Sequence, residues 1–251
     1  MKTAPYGTWQ SPLTAELLAS ASRRLGQLKI DHHHLYWLES RPEEAGRQVI
    51  MQYNVTAEAT TITPAGFNVR DRVHEYGGGD YLIHDNVVYF SNDKDQRLYR
   101  QPIGAPAVAI TPCATQAMAL RYADGAITPD GRYIICVRET HHSATEVIND
   151  LVAVPTDGQR QPHVIVSGYD FYACPRISRD GKQMVWLCWK QPQMPWDGCE
   201  LWLADVAENA VIKYIIGYYS EVRPHSYNGG LTPNESEKRY WLEYKSVAKI
   251  S

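Results

Sequence analysis

Residues 73–82 read VHEYGGGDYL, a histidine, a glutamate and a tyrosine set directly before three glycines. Such a run serves three kinds of chemistry. The amides of a glycine-rich turn cradle phosphate, an imidazole beside a carboxylate moves protons, and glycines alone let one backbone pass close to another. A phosphate loop needs a Lys-Ser/Thr pair and a helix behind its glycines. Here DYLIHDNVVYF follows, an alternation that predicts a hairpin. Gly77, Gly78 and Gly79 are therefore read as structural glycines. Arg70, Arg72, His74, Glu75 and Tyr76 precede them, and Arg72, His74 and Glu75 are the candidate substrate-binding residues. In the simpler alternative, Arg72 and Glu75 pair locally and His74 packs as a half-buried ring. No nucleophile stands beside them.

Other chemistry-bearing residues fail on spacing. His32, His33 and His34 are consecutive, and side chains that alternate across a strand or scatter in a turn do not converge on one ion. A solvated turn before LYWLE is expected there. His141 and His142 fall in ETHHSATEVIND, which reads as a long polar loop without an H-E-x-x-H pattern. Neither the nucleophile elbow G-x-S-x-G nor the dinucleotide fingerprint G-x-G-x-x-G occurs. Asp130 and Asp180 sit in Asp-Gly turns, where a carboxylate bonding its own backbone explains them. The reading is of no catalytic residue, no metal and no cofactor.

The elements that must position the 70–80 segment come next. The chain has 251 residues, 44% hydrophobic and 21% charged, the mix of a globular protein, and its net charge of −3 argues against nucleic acid as a partner. No stretch has the length of a membrane span or of a secretory signal, so no membrane and a cytoplasmic location are expected. Five cysteines without a C-x-x-C pair read as buried thiols in a reducing compartment. Aromatic usage, 17 Tyr and 7 Trp against 3 Phe, favours strands.

The sequence also repeats. ITPDGRYIICV from Ile127 and ISRDGKQMVWL from Ile177 lie fifty positions apart, each with an Asp-Gly that suits a tight hairpin. The same register pairs HLYWLE with VVYFSN, TTITP with VAITP, and RLYRQP with DLVAVP and ELWLAD. Each unit holds four short strands, the pattern of β-propeller blades. The expected fold is all-β, a partial propeller of about four blades at 27–66, 67–114, 115–168 and 169–216. An N-terminal segment, 1–26, carries a short helix with Ser11 as cap, Pro12 at the first position, an apolar stripe of Leu13, Leu17, Leu18 and Ala21, and Gly26 just past its end. Residues 217–251 form a divergent tail in which KRYWLEY could add a strand. In this register EYGGG enters the innermost strand of the second blade, where strands crowd and where propellers bind ligands.

Several long segments together resemble a known family: APYGTWQSPLTAELL (4–18), YWLESRPEEAGRQVI (36–50), FNVRDRVHEYGGGDY (67–81), VYFSNDKDQRLYRQ (88–101) and QMPWDGCELWLADV (193–206). They look like the N-terminal β-propeller of prolyl oligopeptidase-family serine peptidases, in the branch of acylaminoacyl-peptidase and dipeptidyl-aminopeptidase-like enzymes. The resemblance implies a propeller that caps an α/β-hydrolase domain and admits only small peptides. That domain, with its Ser, Asp and His, would follow the propeller, and no residue here matches it. Contacts of the propeller with the substrate's N-terminal side in relatives lend weight to Arg72, His74 and Glu75.

Three functions follow as expectations. The first is a truncated, non-catalytic, substrate-gating propeller whose small peptide substrate is handled through an absent hydrolase domain, its end blades exposing apolar faces and folding marginally. The second is a stand-alone scaffold for a peptide or protein partner. The third is a propeller subunit that complements a separately encoded hydrolase domain.

Overall fold

A computed structural model describes residues 3, 5–8, 13–14, 23–54, 58–143, 145–207, 211–217 and 239. The fold is all-β: four antiparallel sheets of four strands, each a propeller blade with its strands in chain order. The first blade contains β1 (Leu25–Asp31), β2 (His34–Arg41), β3 (Arg47–Asn54) and β4 (Thr60–Thr61). The second contains β5 (Tyr81–His84), β6 (Val87–Ser91), β7 (Leu98–Pro102) and β8 (Val108–Ala109). The third contains β9 (Leu120–Ile127), β10 (Tyr133–His141), β11 (Val147–Pro155) and β12 (His163–Val166). The fourth contains β13 (Phe171–Ile177), β14 (Gln183–Trp189), β15 (Glu200–Ala207) and β16 (Val211–Gly217). The first blade lies in one compact unit, Met1–Val69, and the other three in a second, Arg70–Ser251.

In the first unit Tyr36, Leu38, Val49, Ile50 and Val69 are buried. His32 and His33 form the turn between β1 and β2, and His34 opens β2. In the second unit the middle blade explains the unbroken apolar runs of the sequence. Along β10, Ile134 and Cys136 join one cluster with Leu82, Tyr89 and Leu98 of the second blade. Ile135 and Val137, pointing to the other face, join another with Tyr172, Met184 and Trp186 of the fourth. A sheet covered on both faces needs apolar residues at successive positions, at roughly 1.5–3 kcal/mol for each large side chain buried.

The repeated Asp-Gly turns share one geometry. Thr128 donates to Asp130 at 2.6 Å and Ser178 to Asp180 at 2.6 Å, while the amides of Arg132 and Lys182 donate to the same carboxylates at 3.1 Å. The Thr128 hydroxyl, with help from Arg132, holds the Asp130 carboxyl down at about 2. Gly131 and Gly181 take the left-handed conformation that follows, with φ of 69° and 72°.

Three expectations need correction. The segment 139–150 is not a long loop: β10 runs through His141 and β11 starts at Val147, leaving a short connection at 142–146. Its polar residues sit in strands because they are paired, Arg138 with Asp150 at 2.6 Å and His141 with Glu139 at 3.0 Å. Cys136 and Cys188 are buried, but Cys113 and Cys174 are exposed. Gly26, expected beyond a helix, lies within β1, while the helix positions Ser11, Pro12, Leu17, Leu18 and Ala21 are outside the described residues, as is the tail apart from Gly217 and Arg239. Among the described residues no helix is long and apolar enough to cross a membrane.

Candidate functional site

The 70–80 segment, in the second unit, leads into β5. Its backbone is pinned residue by residue. Arg70 donates its amide to Ser91 O at 3.0 Å, and the fully buried Gln96 accepts the Arg72 amide at 2.7 Å while its own Nε2 donates to Arg70 O at 3.3 Å. Asp71, buried, accepts the amides of Val73 and Gly78 at 3.0 Å each. The loop closes through Glu75 N to Arg72 O at 3.0 Å and Gly77 N to Val73 O at 2.9 Å. It does so at left-handed φ values of 55° at His74, 66° at Glu75 and 83° at Gly77. For the first two that conformation costs of order 1–3 kcal/mol each.

Arg121 on β9 organises the side chains. Its Nη1 donates to Arg72 O at 2.8 Å, to Glu75 Oε1 at 2.7 Å and to Glu139 Oε2 at 3.2 Å. Glu139, on β10 and 4% exposed, also accepts the His74 amide at 3.2 Å. Hydrogen bonding to Arg121 lowers the Glu75 pKa, so this largely exposed carboxylate stays ionised. Arg72 pairs with Asp93 at 2.9 Å. Arg72 and Glu75 thus do not pair with each other.

The His74 ring packs edge-on against Phe171 at 5.2 Å and Trp189 at 5.7 Å, two rings that themselves stack at 5.3 Å. Burial pushes its pKa down, against the pull of Glu139, Asp124 and the Asn149 carboxamide. Tyr76 leans over the outer side, its ring 5.7 Å from His74 and its hydroxyl 3.5 Å from Nδ1. The Tyr76 side chain is 70% exposed. The site therefore offers a neutral imidazole on an aromatic wall, flanked by an exposed tyrosine and a fixed carboxylate. It can bind, and among the described residues the hydroxyl bonded to His74 is that of Tyr76.

The glycines sit where backbones converge. A Cβ on Gly78 would lie 2.9 Å from Asp124 Oδ1 and 3.3 Å from Ala123 Cβ, and one on Gly79 would lie 3.0 Å from Asp124 Oδ1. Asp124 occupies this crossing because it accepts the Gly79 amide at 2.6 Å and the Cys174 amide at 3.0 Å, tying the segment that leads into β5 to β9 and β13. Arg72, His74 and Glu75 are thus brought to one place. Arg121, Glu139, Asp124, Asn149, Phe171 and Trp189, which complete it, were not singled out from the sequence. A faint signal existed in the repeat itself, since Tyr122-Ala123-Asp124 and Tyr172-Ala173-Cys174 stand fifty apart.

No family model and no curated protein matches the chain. Solved structures do. A Mycobacterium tuberculosis puromycin-hydrolyzing peptidase matches with 36% identity and a TM-score of 0.80, over 86% of this chain and 35% of that one. A puromycin hydrolase matches with 34% identity and a TM-score of 0.80 over the same shares. TolB from Acinetobacter baumannii, 12% identical with a TM-score of 0.51 over 79% of this chain and 44% of that one, shares the fold alone. The chain spans about a third of the length of the peptidases it matches. With four propeller blades and a similarity at 34–36% identity that covers 86% of it, the chain is similar to the β-propeller portion of prolyl oligopeptidase-family peptidases.

Proposed function

We propose that the chain is a non-catalytic, substrate-gating propeller portion of a cytoplasmic peptidase that acts on small peptides. The observation that carries this reading is the strained, over-determined 72–76 loop, which presents Glu75 and Tyr76 to solvent on a rigid aromatic support of His74, Phe171 and Trp189. Such strain persists where a precise surface is needed, and fixed polar groups beside an apolar wall suit a small ligand. The relatives at 34–36% identity are named for puromycin hydrolysis, which makes puromycin and short peptides the first ligands to try. The sequence has no G-x-S-x-G, so the chain contributes contacts rather than a nucleophile.

Titration of the purified chain with puromycin and with two- to four-residue peptides, followed by tryptophan fluorescence, tests the reading. Saturable binding that weakens at least fivefold in Glu75→Gln is expected. Absence of saturable binding up to millimolar ligand, or unchanged affinity in that variant, contradicts it.

A further inference from the structure

The two faces of a blade differ in what they meet. Ile135 and Val137 on β10 stand directly opposite Ala153 and Leu151 on β11, and these four pack in one cluster with Tyr172, Met184 and Trp186 of the fourth blade. The same two cross-strand pairs recur fifty positions on, Val185 opposite Leu203 and Leu187 opposite Leu201. The third-blade residues are 2% exposed or less. Their fourth-blade counterparts are only half-buried and belong to neither apolar cluster of this unit. The fourth blade therefore repeats the face by which the third grips its neighbour, and holds it half open to solvent.

The first blade carries the matching face. HLYWLES at 34–40 aligns with QMVWLCW at 183–189 through a shared Trp-Leu, and each is the second strand of its blade. Leu35 and Trp37 thereby take the positions of Met184 and Trp186, the side chains that receive the third blade. Met184 and Trp186 are 2% and 1% exposed, whereas Leu35 and Trp37 are half-buried. Ile30, opposite Leu35 on β1, is 70% exposed, and Leu28, two positions earlier on the same side, is 68% exposed. Large apolar side chains gathered in one open patch mark an interaction surface.

We infer that these faces are the two halves of one interface between copies of this chain. The fourth blade of one copy seats its Val185–Leu203 and Leu187–Leu201 pairs on Leu28, Ile30, Leu35 and Trp37 of the first blade of a second copy. A second copy is the occupant because the chain itself carries both halves, and because the fourth-blade half repeats, pair for pair, an interface that this fold already makes between neighbouring blades. Made reciprocally, the contact occurs twice, and a dimer leaves neither half free. Four blades from each copy stay within the blade number of closed propellers. The apolar character of both halves is that of a homodimer interface core. This inference rests on the packing of the blades and is independent of the ligand reading proposed above.

Sedimentation velocity of the purified full chain, at micromolar and again near millimolar concentration, tests it. The wild type is expected at twice the chain mass. Leu187→Asp on one half and Ile30→Asp on the other each place an unpaired carboxylate in both contacts of the dimer, and each is expected to weaken association at least about tenfold with circular dichroism unchanged. Ile30 is exposed in the single chain, so its variant alone decides the matter if Leu187→Asp does not fold. Mixing the two variants restores one wild-type contact, since the Ile30→Asp copy keeps its fourth-blade face and the Leu187→Asp copy its first-blade face. The mixture is expected to regain a dimer that neither variant forms alone. A wild type that is monomeric at both concentrations, its faces covered within the chain, overturns the inference. So does an oligomer that both variants leave unchanged, or a mixture that stays monomeric.

Discussion

Replacing Gly78 with alanine tests the crossing at which the loop meets the third blade. The new Cβ would sit 2.9 Å from Asp124 Oδ1, 3.1 Å from its Cγ and 3.3 Å from Ala123 Cβ. Asp124 cannot turn away cheaply, since its two oxygens hold the amides of Gly79 and Cys174. Overpacking of this kind costs about 1–3 kcal/mol, and losing one charge-assisted bond adds about 1.5–3 kcal/mol. The alanine returns about 0.5–1 kcal/mol by restricting the unfolded chain. The expected net loss is about 1.5–5.5 kcal/mol, read from the urea midpoint by tryptophan fluorescence. Gly26→Ala is the control: nothing lies within 4 Å of its Cβ position, and its effect is expected within about 0.5 kcal/mol. Gly78→Ala as stable as that control would refute the close approach.

Trp189→Leu removes half of the wall behind His74. It is expected to cost about 2 kcal/mol and to raise the His74 pKa toward its ordinary value, followed by NMR titration. In the wild type, where the folded pKa is lowered, the neutral ring supports the fold at neutral pH; this contribution fades as pH falls below the ordinary imidazole value toward the lowered one, and the variant shows less of that fade. Arg121→Met leaves the buried Glu139 without its guanidinium partner and frees Glu75. A loss of about 3 kcal/mol in urea unfolding and a rise in the Glu75 pKa are expected, and an unchanged Glu75 titration would contradict the pairing.

The blades were legible because their physics is local. Asp130-Gly131 and Asp180-Gly181 announce hairpins, and double-sided burial writes unbroken apolar runs such as Ile134 to Val137. The site was half legible. Its loop shows in His74, Glu75 and the glycines, but key partners stand far along the chain, 46 residues for Arg121 to Glu75 and 65 for Glu139 to His74. Glu139 and Asn149 carried the look of a polar loop, because a pairing that lets charged residues enter a strand leaves no mark on periodicity. Asp124 shows the same limit, as its role is to bridge two blades that meet only in space.

The central claim, that these blades gate and contact substrate without cutting it, is tested most directly by exposing the purified chain to a fluorophosphonate probe and a chromogenic aminoacyl substrate. No covalent label and no hydrolysis above the uncatalysed rate are expected, with short peptides still bound. Stoichiometric labelling together with turnover would contradict the account.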